Sequence, residues 1–253
     1  MHFFEWFSCV FGSGILLACA SCGGAAPLTG DRLPGGITVH PVRHATLVLG
    51  WKGRTVYVDP VGELKQFAGL PKPDLILLTH EHRDHFELPV LQALASPETL
   101  LAAPAAVAAQ LPEDLKKRAT VLANGESKTL CGILVEAVPA YNTTAEHLKF
   151  HPKGAGNGYV LTLGDKRVYI SGDTEDIPEM RALKAIDAAF LCVNQPYTMT
   201  VEEAASATRA FRPKIVYPYH YKGANLPASD LEQYRKLVGA DLGIEVRLRD
   251  WYP

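Results

Sequence analysis

Leu75-Ile76-Leu77-Leu78 is an unbroken apolar run, and it passes directly into Thr79-His80-Glu81-His82-Arg83-Asp84-His85. A short continuous run of this kind reads as a strand buried on both faces, the sort found in a sheet that helices cover. The end of that strand then carries three histidines and an aspartate in an H-x-H-x-D-H arrangement. Imidazole and carboxylate suit zinc, manganese or iron. If the chain bends here, His80 and His82 face one point while Asp84 and His85 face another nearby. A solvated loop is the competing reading. Nine histidines in 253 residues seldom place three in six at the end of a core strand.

The rest of the chain alternates strands with helices, and strands predominate early. Ile37–His40, Thr46–Trp51 and Thr55–Val58 read as strands, the last two joined by the turn Lys52-Gly53-Arg54. Phe86–Ala95 and Ala105–Gln110 read as helices, with Leu100–Ala103 a strand between them. Val121–Ala123, Lys128–Leu130 and Ile133–Pro139 read as strands, with Asn124-Gly125 as the turn joining the first two. Tyr159–Leu163 and Val168–Ser171 form a hairpin around Gly164-Asp165. Ala188–Val193 is apolar, and Ile215–Tyr219 and Glu245–Leu248 are strands. Val201–Ala210 and Ser229–Val238 are helical. No internal repeat stands out. The pattern is an α/β sandwich rather than a simple Rossmann alternation.

Residues 1–36 have a different character. Val10–Ala20 is apolar but shorter than the roughly 20 residues of a spanning helix. Its length suits the core of a secretory signal. Leu16-Leu17-Ala18-Cys19 then resembles a bacterial lipobox, which makes Cys19 a lipidation site and the chain a cell-envelope lipoprotein. No Lys or Arg precedes Arg32, so the usual positive start is missing, and a buried N-terminal helix of a cytoplasmic protein is the alternative. The expected division is a leader and glycine-rich tether over 1–36 and one domain over 37–253. Beyond the leader, Cys131 and Cys192 are too few for a disulfide scaffold. The 25 basic and 27 acidic residues leave a formal charge of −2, which does not describe a nucleic-acid binder.

The histidine run resembles that of the metallo-β-lactamase superfamily, and three further segments match in the family's order. They are Val56-Tyr57-Val58-Asp59-Pro60, Ser171-Gly172-Asp173-Thr174 and Pro218-Tyr219-His220-Tyr221. Within the superfamily the likeness leans toward the group containing ascorbate-6-phosphate lactonase, through Val138-Pro139-Ala140-Tyr141-Asn142, His151-Pro152-Lys153-Gly154 and Val168 to Met180. The resemblance implies an αββα sandwich with two mixed sheets flanked by helices. It implies one or two divalent metals: His80 and His82 on the first, Asp84, His85 and His220 on the second, and Asp173 bridging. Asp59 would orient the metal loop from behind.

One position departs from the family. Most members have a histidine where Asn142 stands, and an amide oxygen is a weaker ligand. His147 or His151 could swing in instead, although residues 141–157 also read as a mobile polar flap facing the substrate. His44 matches a family position near the site, yet a lone histidine beside a strand is also a common structural residue. Tyr141, Tyr219 and Lys222 are candidate substrate contacts, with a solvated rim as the plain alternative.

These readings imply a metal-dependent hydrolase in which Asp84 and Asp173 assist a metal-activated water. The expected substrate is a small ester-type molecule, a lactone or a phosphodiester. The alternative is a non-catalytic metal- or ligand-binding envelope protein with a degenerate site, motivated by Asn142 and the lipobox.

Overall fold

The computed structural model describes Met1, residues 28–223 and residues 226–252. The lipobox-like segment with Cys19 lies outside the described residues.

Alternation decides the layers. In β3 (Thr46–Trp51), β4 (Arg54–Val58) and β5 (Leu75–Leu77), Leu47, Leu49, Val56, Val58, Leu75 and Leu77 join the central core. Val48, Tyr57 and Ile76, the residues between them, join a second core with Leu91, Leu101 and Val107. Successive strand residues point to opposite faces, so a strand apolar on both faces must be covered twice. The second core is the outer face of this sheet, roofed by α1 (Leu88–Leu94), α2 (Ala105–Ala108) and α3 (Glu113–Lys116). The first core lies between the two sheets. Two seven-stranded sheets flanked by helices make up the αββα sandwich.

Strand order follows chain order in both sheets. The first runs β1 (Asp31–Leu33), β2 (Ile37–Arg43), β3, β4, β5, β6 (Leu100–Ala103) and β7 (Ala119–Val121). The second runs β8 (Ser127–Leu130), β9 (Ile133–Ala140), β10 (Gly156–Leu163), β11 (Lys166–Ile170), β12 (Ala188–Cys192), β13 (Ile215–Tyr219) and β14 (Glu245–Val246). β1 to β4 pair antiparallel and β4 to β7 parallel. β8 to β11 again pair antiparallel and β11 to β14 parallel. The two halves therefore repeat one topology. α4 (Pro178–Arg181), α5 (Val201–Phe211) and α6 (Leu231–Val238) lie in the second half.

Three expectations change. The fold starts before residue 37, because β1 pairs with β2 and Leu28 is buried. Asn124-Gly125 is not a hairpin turn but the crossing between sheets, since β7 pairs with β6 and β8 with β9. The crossing is tied to the second sheet: Gly125 N donates to Ala137 O at 2.8 Å, and Asn124 Nδ2 to Gly156 O at 2.9 Å. The last strand stops at Val246, two residues short of Leu248.

Candidate metal centre

Strand ends build the site. Asp59 follows β4, the His80–His85 loop follows β5, Asp173 follows β11, and His220 follows β13. These are C-terminal ends of parallel strands, where loops diverge and leave a crevice.

A hydrogen-bond relay fixes the imidazoles. Asp59 is fully buried and accepts from Thr79 N at 2.8 Å, Thr79 Oγ1 at 2.6 Å and His85 Nδ1 at 2.7 Å. Thr79 thus gives its hydroxyl proton to Asp59, so His80 Nδ1, 3.0 Å from that hydroxyl, is the donor to it. With Nδ1 committed to these hydrogen bonds, each imidazole turns Nε2 to the interior. A carboxylate behind a ligating histidine is the usual way a tautomer is set.

The inward atoms form two groups. His80 Nε2 and His82 Nδ1 lie 3.0 Å apart, and His151 belongs with them. His44, Asp84, His85 and His220 form the second group. Asp173 stands between the groups: Oδ1 is 3.3 Å from His85 Nε2, and Oδ2 is 3.3 Å from His151 Nε2 and 3.4 Å from His220 Nε2. Nitrogens about 2.0–2.1 Å from a tetrahedral zinc stand roughly 3.3 Å apart. His85 Nε2, His151 Nε2, His220 Nε2 and Asp173 Oδ1 are all buried without a hydrogen-bond partner. Buried polar atoms are rarely left so, and four converging ones fit a cation.

The charge states agree with this. Burial, and then the nearby His85, hold His80 well below the ordinary histidine value. Burial and the neighbouring His151 lower His82. Burial alone would raise Asp84, but the approach of His220 and the hydrogen bond with His44 outweigh it and hold the carboxyl below its usual range. Asp173 is likewise held low against burial by His220 and His85. Burial opposes protonation of His85, but Asp173 and then Asp59 raise its value well above normal. A cation entering would displace that proton.

The flap is where sequence and structure part. Residues 141–157 are not a mobile polar loop. Glu175 accepts from Thr143 N and Thr144 N, both at 2.7 Å, and pairs with His147 Nδ1 at 2.7 Å. Burial works against the Glu175 carboxylate, yet these amides and His147 bring it down to about 2. His147 is therefore a tether of the flap and not a ligand.

Asn142 serves as an anchor through its nitrogens, while its Oδ1 is buried without a hydrogen-bond partner. Its Nδ2 donates to Tyr197 O at 2.7 Å and His147 O at 3.1 Å, and its backbone N to His151 O at 2.8 Å. It anchors the loop that delivers His151. His151 Nδ1 donates to Tyr197 O at 3.1 Å and leaves Nε2 to the site. The third nitrogen of the first group thus comes from nine residues further along.

The remaining candidates divide. His44 Nε2 lies 3.0 Å from Asp84 Oδ2, while Nδ1 meets Tyr252 Oη at 2.9 Å. Burial lowers the His44 value, against the hydrogen bond with Asp84. The Tyr252 hydroxyl, which donates to Lys222 O at 3.1 Å, holds one side of the ring, and Asp84 faces the other. Tyr219 does not reach the site: it is fully buried against Trp251, with ring centroids 5.7 Å apart, because strand alternation turns it from His220. Tyr141 does not reach it either, since its hydroxyl donates to Glu179 at 3.0 Å and accepts from Lys153 at 3.2 Å. Lys222 is exposed at the rim.

A cavity of about 270 Å³ opens over the cluster, reaching Asp84, His151 and Asp173. Phe150 and Tyr197, edge to face at 4.9 Å, form an apolar wall that sequence reasoning missed. Phe150 was hidden in a stretch whose other residues are mostly polar.

Similarity to known proteins follows the same outline. The family profile described as "Beta-lactamase superfamily domain" matches residues 38–220. A UPF0173 metal-dependent hydrolase of Thermoplasma acidophilum is 35% identical over 176 residues, covering 66% of this chain and 74% of the relative. One from Pyrococcus abyssi is 31% identical over 170 residues, covering 66% and 74%. A solved structure from Parabacteroides distasonis, assigned to the metal-dependent hydrolases, superposes with a TM-score of 0.78. It shares 43% identity and covers 87% of this chain and 98% of that one. A metallo hydrolase from the hyperthermophilic archaeon Ignicoccus hospitalis has a TM-score of 0.70 at 23% identity, covering 85% and 95%, and so shares the fold.

Proposed function

The chain belongs to the metallo-β-lactamase superfamily, and on that premise we propose that it is a metal-dependent hydrolase of a small ester-type substrate, a lactone or a phosphodiester. The observation that carries this reading is the set of buried, unpartnered histidine and aspartate atoms converging beneath an open cavity.

His80, His82 and His151 would hold one divalent ion, and Asp84, His85 and His220 a second, with Asp173 shared. Zinc, manganese or iron would fit these ligands, and when bound such an ion would lower the pKa of its water toward about 7 and polarise a substrate oxygen. The side chains supply the rest. Asp84 is half exposed on the cavity wall, so it is placed to receive a proton from the attacking water. His44 holds that carboxylate through Nε2. Phe150 and Tyr197 keep bulk water from one side of the cavity.

The test is a panel of chromogenic lactones and phosphodiesters with protein loaded with zinc, manganese or iron. Asp84→Asn and His82→Ala should each reduce turnover by about a thousandfold or more while the circular dichroism spectrum persists. Stoichiometric metal binding without turnover on any substrate would instead favour a binding protein. Full turnover after complete metal removal would overturn the reading outright.

We further propose that the chain is a cell-envelope lipoprotein lipidated at Cys19, on the strength of Leu16-Leu17-Ala18-Cys19. Metabolic labelling with a fatty acid, lost in Cys19→Ser, would test it.

A further inference from the structure

A second cavity, of about 470 Å³, opens beside the one over the metal centre. The two share His44, Asp84 and Gly223, so they form one continuous cleft. Their linings differ in character. The first carries the Phe150–Tyr197 wall, whereas the second carries Arg43, Arg83 and Lys222.

Among the described residues, none of these three cations meets a carboxylate in an ion pair, while Arg54, Arg167, Arg181 and Arg209 each do. Lys222 Nζ lies over the face of Tyr252, 5.8 Å from the ring centroid. Two carboxylates also line the cavity, and neither pairs with these cations. Asp84 is held by His44 and His220, and Glu87 Oε2 accepts from Gly62 N at 3.0 Å.

Arg43 is seated rather than loose. It ends β2 at a register shift between Pro41 and Arg43, a bulge of the kind that re-aims a side chain beside a site. Its guanidinium lies against Gly62, where a Cβ would come within 2.6 Å of Nη1. Gly62 also has φ +99°, so a side chain there would be strained twice over. The cations of the lining outnumber its two carboxylates, and planar guanidinium groups match carboxylate and phosphate oxygens.

We propose that the second cavity is an oxyanion subsite, which takes a carboxylate or phosphate group that the substrate carries away from the bond to be cleaved. The substrate would then straddle the cleft, with its reacting group over the metal centre and its charged end among Arg43, Arg83 and Lys222. This rests on the hydrolase reading for its kinetic arm, though not for its binding arm.

The kinetic arm compares mono-(4-nitrophenyl) adipate, which has a free carboxylate, with its neutral methyl ester on the metal-loaded full chain. Wild type should prefer the charged ester by about tenfold or more in kcat/KM, and Arg43→Gln/Arg83→Gln should collapse that ratio toward one, mainly through KM. Elemental analysis must show the variant's metal content unchanged. A ratio near one in wild type, or a preference that survives the double substitution, overturns the proposal.

The binding arm titrates inorganic phosphate calorimetrically into the same two metal-loaded proteins. Affinity about tenfold weaker in the double variant supports the subsite, and equal affinity overturns it. If neither ester is cleaved by wild type, the hydrolase reading is what fails, and the phosphate titration alone decides the subsite.

Discussion

Asp59 and Asp173 follow corresponding strands in the two halves of the fold, β4 and β11, and both reach His85. Asp59 Oδ2 lies 2.7 Å from Nδ1, and Asp173 Oδ1 lies 3.3 Å from Nε2. The likeness extends along the chain, since Val56-Tyr57-Val58 leads to the first aspartate and Val168-Tyr169-Ile170 to the second. One topology used twice has brought two aspartates to opposite sides of one imidazole. Their roles differ because Asp59 is saturated by donors, whereas Asp173 Oδ1 has none.

That difference predicts different outcomes for the same substitution. Asp59→Asn leaves the inward atoms in place but puts an amide donor opposite donating groups. Metal affinity should drop about 10- to 100-fold, the usual effect of losing a group behind a ligating histidine. Asp173→Asn removes a charge shared by both groups and should cost more. Competition with a chromogenic chelator measures both. Equal losses would show that the two aspartates are not distinguished in this way.

His151 and Asn142 can be separated by counting metal. His151→Ala removes a nitrogen from the first group, so bound metal should fall by about one equivalent. Asn142→Ala removes two hydrogen bonds, although Phe150 N and His151 Nδ1 still donate to the same carbonyls, and should cost about 1–3 kcal/mol of stability, yet keep the full metal complement. Elemental analysis and urea denaturation report the two effects. Full loss of a metal equivalent in Asn142→Ala alone would return Asn142 to the ligand set.

How much could be read beforehand follows from how local each feature is. His80, His82, Asp84 and His85 announce themselves because four candidate ligands sit together after one apolar strand. Asp173 and His220 gain meaning only by their order along the chain and the likeness to a family. His151 was a candidate but could not be told from His147, because nothing near either shows where the flap is pinned: Glu175 and Tyr197 lie 24 and 46 residues beyond His151. The sheet crossing at Asn124-Gly125 was missed for a similar reason. An Asn-Gly pair favours a tight turn, and which strands flank it is decided by β6 and β9. The doubled topology left only Val-Tyr and a third apolar residue in common, too little to stand out, though the paired aspartates made it visible in hindsight.

Cysteine chemistry gives a third expectation. Cys131 and Cys192 are both free, and Cys192 is fully buried. Burial pushes its thiol up to about 12. At pH 8 its thiolate fraction would then be on the order of one in ten thousand. Iodoacetamide should leave Cys192 unmodified in the folded protein and alkylate it after denaturation, as peptide mass mapping would show. Rapid native alkylation would mean that the core around β12 opens far more readily than its packing implies.

The C-terminal residues clamp the second ligand group, and two substitutions should split that role in two. Trp251 is fully buried, crosses Phe190 at 6.3 Å, and accepts from His44 N through its carbonyl at 2.7 Å. Trp251→Ala leaves a large void in the central core and should cost about 3–5 kcal/mol. Tyr252 instead touches the site through its hydroxyl at His44 Nδ1. Tyr252→Phe should therefore change stability by less than about 1 kcal/mol. It frees the His44 ring, loosens its hold on Asp84, and should lower kcat about tenfold on any substrate the enzyme accepts. Urea denaturation and steady-state kinetics on both variants check the split. Wild-type kcat in Tyr252→Phe would remove the His44–Asp84 pair from the chemistry.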